Sequence, residues 1–234
     1  MLRREGVRAT VSERLPLFPL GTVLLPGLLM PLQIFEERYR VLVRELLEIP
    51  ETEPRRFGVV AIRRGREVGP AVPQTYEIGC TALVRRVEAL PDGRFSMVTV
   101  GGSRFRVHSV DESSHPYLVG DVEYLDDVVG DEAAAAGNAA VVTRLLREYT
   151  ERLTASGTVE VKLPELPTDP IALSFLVAAA VANDIAERQE LLAAPDAAAR
   201  LRGERALLRR ELGLLERITT VGSSELNRIT PSSN

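Results

Sequence analysis

The hydrophobic pattern of this 234-residue chain changes character once, near Asp131, and that change constrains the fold more than any other feature. Before it, apolar residues come in short runs broken by Pro and Gly, which is a strand pattern. After it, Ala- and Leu-rich segments repeat at helical spacing. The expectation is an α+β chain, with a β half first and a helical half second.

Residues 1–13 read as a polar, flexible lead-in. The stretch LPLFPLGTVLLPG, from Leu15, is too interrupted for a helix. Pro16, Pro19, Pro26 and Pro31 suit an edge strand or an irregular loop better than a central strand. Next, IFEERYRVLVRELLE has helical spacing. Ile34, Phe35, Tyr39, Leu42, Leu46 and Leu47 share one face, with Glu36, Glu37, Arg40, Arg44 and Glu48 on the other. After a charged loop at 50–56, strands are expected at 57–62, 76–90, 94–110 and 117–125. Pro91-Asp92-Gly93 reads as a hairpin turn, because Pro presets φ and Gly accepts positive φ. Gly101-Gly102 inside a strand predicts a bulge or a sharp corner.

Residues 132–154 are expected to be helical, and GTVEVKLPELPTD is expected to be a loop. Asp169-Pro170 opens a helix with a side-chain cap and a first-turn proline. Its sequence, IALSFLVAAAV, is apolar nearly all round and belongs in the middle of a bundle. Asp184 with Glu187 reads as a capping-box variant. Pro195 opens the last helix, where Leu201, Leu208, Leu212 and Leu215 face away from Arg202, Arg205 and Arg209. From Gly222 the tail is polar and expected to be flexible.

Residue identities remove whole classes of chemistry. Lys162 is the single lysine, and it sits in VKLPEL rather than in a Gly-Lys-Ser/Thr loop, so a P-loop is excluded. A Ser–Lys proteolytic dyad is excluded for want of the same residue. Cys80 is the only cysteine, which rules out an internal disulfide and a CxxC site and reads as a buried thiol. His108 and His115, with Asp111 and Glu112 nearby, match no standard metal spacing. GGSRF is not a GxSxG nucleophile elbow. Arg104 and Asp92 are expected to serve structure, the first by bonding free carbonyls beside a bulge and the second by capping its own turn. No catalytic residue, metal site or cofactor is expected. The longest apolar stretch, 171–182, falls well short of the roughly 20 residues that span a bilayer. The N-terminus lacks a signal-peptide pattern, so the cytoplasm is the expected compartment.

The stretch LPLFPLGTVLLPGLLMPLQIFEERYR, with Pro31, Leu32, Ile34, Phe35, Glu36, Arg38 and Tyr39 in a PLxIFExRY pattern, resembles the Lon protease N-terminal (substrate-binding) domain family. Its free-standing members resemble this chain most. The likeness continues through Gly79, Thr81, Asp92-Gly93, Gly102, Arg104 and Phe105, then through DPIALSFLVAAAV and RQELLAAPDAAARL, and covers about residues 14–217. It implies a PUA-like antiparallel β-barrel over 14–126 (the LON subdomain), a helical bundle over 131–221 and a flexible tail over 222–234. It also implies a non-catalytic role in contacting protein substrates.

Leu24, Leu25, Leu28, Leu29 and Met30 sit among prolines and Gly27, where a loop has difficulty burying all of them. An adaptable apolar loop containing Met suits tolerant recognition of unfolded chains. Together with Phe35 these are the candidate protein-binding residues, whereas Phe18 and Val23 are expected in the core. The expected partners are unfolded polypeptides or a protein partner such as a protease or chaperone, with no membrane contact; the oligomeric state is open. Two alternatives stand beside this reading: a small-molecule-sensing barrel, and an RNA-binding PUA-like module using Arg55, Arg56, Arg63, Arg64 and Arg66. From Arg14 to Glu123, however, 14 arginines meet 14 acids, and a phosphate binder would show positive excess.

Overall fold

Five strands close on themselves in the computed structural model, which describes residues 12–69, 71–155, 163–181 and 184–226. The strands are β1 (Glu13–Leu20), β2 (Leu29–Ile34), β3 (Arg56–Arg64), β4 (Gln74–Thr75), β5 (Ile78–Ala89), β6 (Phe95–Asp111) and β7 (Leu118–Leu125). The helices are α1 (Glu37–Glu48), α2 (Glu132–Ala155), α3 (Pro170–Val181), α4 (Ile185–Ala193) and α5 (Ala197–Leu226). The order β1–β7–β6–β5–β3 returns to β1, so the sheet forms a barrel, with β2 added to β6 and β4 to β3. Every pairing is antiparallel except β1 with β3, which is parallel with Leu17 opposite Gly58 and Leu20 opposite Ala61.

That closing pair corrects the expectation for Pro16 and Pro19, which lie in a barrel strand and not at an edge. The reason is a division of labour along β1. Glu13 to Pro16 pair with β7 only, Phe18 to Leu20 pair with β3 only, and Leu17 between them pairs with both. Each proline therefore sits in a stretch with a partner on one side, and its missing N–H is dispensable on the other. Pro31 does lie on an edge strand, since β2 pairs only with β6. The barrel interior is packed by Leu15, Leu17, Val60, Phe105, Leu118 and Val122. Burial of each such leucine stabilises the fold by about 1.5–3 kcal/mol.

Helix α1 begins at Glu37, after Ile34 has closed β2, so Ile34 and Phe35 do not share its inner face. That face holds Tyr39, Leu42, Val43 and Leu46, and Leu47 is exposed. The hairpin behaves as its turn chemistry dictates: Gly93 has φ +78°, and Asp92 Oδ1 accepts the Arg94 N–H at 3.1 Å.

The chain divides into two packed units: residues up to Asp127 together with Asp184–Ala193, and the segments from Val128 and from Ala194 onward. Helix α4 thus belongs with the barrel and not with the other helices as expected. Two hydrogen bonds explain it. Gln189 Nε2 donates to the Ile78 carbonyl at 2.8 Å, and Arg104 Nη1 donates to the Leu192 carbonyl at 2.8 Å.

In the second unit α2, α3 and α5 pack around Val142, Leu146, Leu173, Val177, Leu201 and Leu208. The N-terminal cap of α3 follows the expected residue, with Asp169 Oδ2 accepting from Ala172 N, whereas α5 is capped by Asp196, whose Oδ1 accepts from Ala199 N. Two ionisable side chains are buried here. Arg200 Nη1 donates to Ser174 Oγ at 2.8 Å, and its guanidinium lies 3.8 Å from the Phe175 ring centroid. Glu204 is fully buried, and neither carboxylate oxygen has a hydrogen-bond partner. Burial pushes its carboxyl well above the usual range, against the opposing pull of the Arg200 charge. Helix α5 continues to Leu226, past Gly222 where the tail was expected to begin. The lead-in up to residue 11, Lys162 and the last residues from 227 lie outside the described residues.

Candidate functional site

The proline-framed loop between β1 and β2 is tied to the barrel wall by backbone. Gly27 N donates to Gly101 O at 2.9 Å, and Gly101 N returns a bond to Leu28 O at 2.8 Å. Gly27 takes φ +80° to make the turn. A Cβ on Gly101 would stand 2.1 Å from the Leu25 carbonyl oxygen, so the close crossing requires glycine. The expected irregularity at Gly101-Gly102 is present as a register shift opposite Cys80 and Ala82.

This anchoring sorts the candidate residues. Leu24 and Leu25 are corrected: the crossing at Gly101 draws them inward, leaving them 2% and 0% exposed and part of the core. Val23 and Phe18 are core, as anticipated. Leu28 and Met30 are half-buried. Leu29 and Phe35 are 70% and 51% exposed, at the two ends of β2.

Below Phe35 lies a cavity of about 230 Å³, walled by Phe18, Leu20, Ile34 and Tyr39 and bordered by Glu67 and Val68. Phe18 and Tyr39 stack with centroids 3.9 Å apart and planes 13° from parallel. Arg38 crosses the edge of this wall. Its guanidinium lies 4.7 Å from the Tyr39 centroid, and Nη2 donates to Glu36 Oε2 at 2.9 Å and to the Glu67 carbonyl at 3.5 Å. Burial raises the Tyr39 hydroxyl to about 12, with Arg38 opposing and the Glu36 and Glu67 charges reinforcing the rise. The tyrosine is therefore a neutral wall and not a base. Val68, 53% exposed, and Glu67 come from a charged loop without periodicity, so sequence reasoning had no signal for them.

The other singled-out residues are spread elsewhere. Arg104 is buried and bonds Asp127 Oδ1 at 2.6 Å as well as the Leu192 and Asp126 carbonyls, the structural use expected of it. Cys80 is fully buried, and burial pushes its thiol far up, which leaves it a poor nucleophile. His108 Nε2 meets Glu123 Oε2 at 2.9 Å on the surface, and the His115 ring packs 5.2 Å from Tyr117. Asp111 is held by the Ser114 hydroxyl, the Ser113 N–H and Arg14, which drive its carboxyl well below the usual range. Two of the five clustered arginines are committed to structure. Arg55 bonds the Leu47 and Ile49 carbonyls at the end of α1, and Arg56 pairs with Glu13 at 2.8 Å. Among the described residues no helix is long and apolar enough to cross a membrane.

Comparison with known proteins places this arrangement among relatives. A family profile described as the ATP-dependent protease La (LON) substrate-binding domain matches residues 14–210. The chain is 28% identical over 226 residues to a Lon protease of Anaeromyxobacter dehalogenans, covering 96% of this chain and 26% of that protein. It is 27% identical to Lon protease 2 of Myxococcus xanthus, covering 92% of this chain and 26% of that protein. It therefore spans about a quarter of the length of these curated relatives. Among solved structures, a Lon N-terminal domain protein from Xanthomonas campestris matches with a TM-score of 0.57 and 26% identity, covering 81% of this chain and 95% of that one. The N-terminal domain of a Mycobacterium avium complex Lon protease matches in fold, with a TM-score of 0.61, 18% identity and coverage of 84% and 98%.

Proposed function

The chain belongs to the ATP-dependent protease La (LON) substrate-binding domain family, and from that membership we propose that it captures exposed apolar segments of unfolded or partner proteins and carries out no chemistry of its own. The observation that carries the reading is the pairing of exposed Leu29 and Phe35 with an apolar cavity, on a loop fixed by reciprocal backbone bonds at Gly101. Exposed apolar side chains grouped around an apolar cavity, rather than scattered singly, mark a surface for a partner. A rigid support also reduces the ordering cost of binding. Leu28 and Met30 add adaptable apolar surface alongside, and Met tolerates varied partners. The captured chain is handed on, without being pulled, to a protease or chaperone.

The test is capture of a chemically unfolded model protein with blocked cysteines, by wild type and by the Leu28→Ser/Leu29→Ser variant. Weakening of about tenfold or more with an unchanged melting temperature is expected, the loss of roughly one buried apolar side chain. Unaltered capture overturns the reading.

A further inference from the structure

Resting on that reading, we propose that the groove along β2 takes a single extended polypeptide segment, with one bulky apolar side chain in the cavity and an Arg or Lys beside Glu67. Three observations converge on this occupant. First, β2 is an edge: it pairs with β6 alone. Pro31, lacking an N–H, fits a position whose backbone nitrogen faces away from β6. By the alternation of a strand, Leu29 and Gln33 turn their backbone groups the same way, outward. Gln33 lies directly opposite Ser96, and its Nε2 donates across the pair to Ser96 Oγ at 3.2 Å. An extended segment laid beside β2 meets the N–H and C=O of Gln33 and the Pro31 carbonyl, a short stretch of added strand.

Second, the cavity is small. Its volume of about 230 Å³ lies below the roughly 300–1,000 Å³ typical of small-molecule sites. Phe18, Leu20, Ile34 and Tyr39 supply its apolar walls. That is space for one large side chain.

Third, the unmatched charge at the border is negative. Glu36 is committed to Arg38 at 2.9 Å. The exposed Glu67 has no cation within ion-pair distance among the described residues. A cationic residue on the incoming chain complements it, whereas a nucleic-acid phosphate is repelled.

The experiment uses the full chain and three fluorescein-labelled nine-residue Gly/Ser peptides: one with a Leu and an Arg two positions later, one with Glu replacing that Arg, and one with Ser replacing the Leu. Anisotropy at low salt is expected to rank the Leu/Arg peptide about threefold to tenfold tighter than the Leu/Glu peptide, the range of exposed opposite- against like-charge contacts. Glu67→Arg reverses that ranking, and the Ser peptide is lost in both backgrounds. Absence of binding, or a ranking that Glu67→Arg leaves unchanged, overturns the proposal. So does sedimentation showing that Val68→Asp abolishes a dimer, which assigns the groove to a second copy of the chain. Should unfolded-protein capture still depend on Leu28 and Leu29 while the peptides are not discriminated, the peptide groove fails and the broader reading stands. Should capture be insensitive to those leucines, the broader reading fails whatever the peptides do.

Discussion

Gly101 and Leu25 touch through backbone: the Gly101 Cα passes so near the Leu25 carbonyl that a Cβ would lie 2.1 Å from its oxygen. The loop between β1 and β2 and the barrel wall are thus tied together at one point. Gly101→Ala forces the strands apart at the crossing, a clash with backbone that no side-chain rotation relieves. Overpacking of this kind costs about 1–3 kcal/mol. Urea denaturation should show that loss, and unfolded-protein capture should fall with it because Leu28 and Leu29 move.

Leu25 and Phe35 come from the same apolar stretch and should respond in opposite ways to serine. Leu25→Ser empties a fully buried site and leaves a hydroxyl there, a loss of about 3–5 kcal/mol. Phe35→Ser, at a half-exposed position, should change stability by under about 1 kcal/mol while weakening capture. Paired thermal melts and binding titrations check both halves.

Arg104 holds α4 on the barrel through Leu192 and is anchored by Asp127. Arg104→Met leaves the Leu192 carbonyl and the Asp127 carboxylate without this partner. Removing one member of a buried charged pair costs about 3–5 kcal/mol, and here Asp127, a quarter exposed, places the expectation at the low end. Hydrogen exchange should rise first in Asp184–Ala193, ahead of the β6–β7 ladder.

Glu204 makes the second unit pH-sensitive. Its folded carboxyl titrates well above its unfolded value, because burial disfavours the charge. The unfolded chain therefore releases this proton first, and stability falls as pH rises from about 4.5 toward the folded value. Glu204→Gln keeps the shape and removes the titration. Its melting-temperature gain over wild type should be small at pH 4.5 and larger at pH 8; an equal gain at both would contradict the burial argument.

Short-range chemistry made much of this fold legible. Pro91-Asp92-Gly93, the Asp169 cap and the Leu201–Leu208–Leu212 stripe each depend on neighbours a few residues away, and each is found as read. Pairings of high sequence separation were not legible. Nothing local to Pro16 or Pro19 announces that residues 17–20 lie parallel to residues 58–61. Helix α4 carried a helical signal but no mark of its destination, which is decided by Ile78 and Arg104 far upstream. At the candidate site, the apolar run 24–30 has no period, so inside and outside were indistinguishable until Gly101 drew Leu24 and Leu25 into the core. Glu67 and Val68 join the cavity only through the folding of β3 toward β4, and no neighbouring residue signals that they do.

The two-partner strand β1 also sets a schedule for synthesis. Its first half waits for residues 118–122 and its second for residues 58–61, so the ring stays open until Val122 has been translated. Until then Leu15, Leu17 and Leu20 belong to a nascent strand without its final neighbours. Domains whose seams join distant stretches fold slowly, and their unpaired strands are open to misassociation meanwhile. Until the strands meet, the newborn chain is thus itself an exposed apolar polypeptide, the kind of partner proposed above for its folded form.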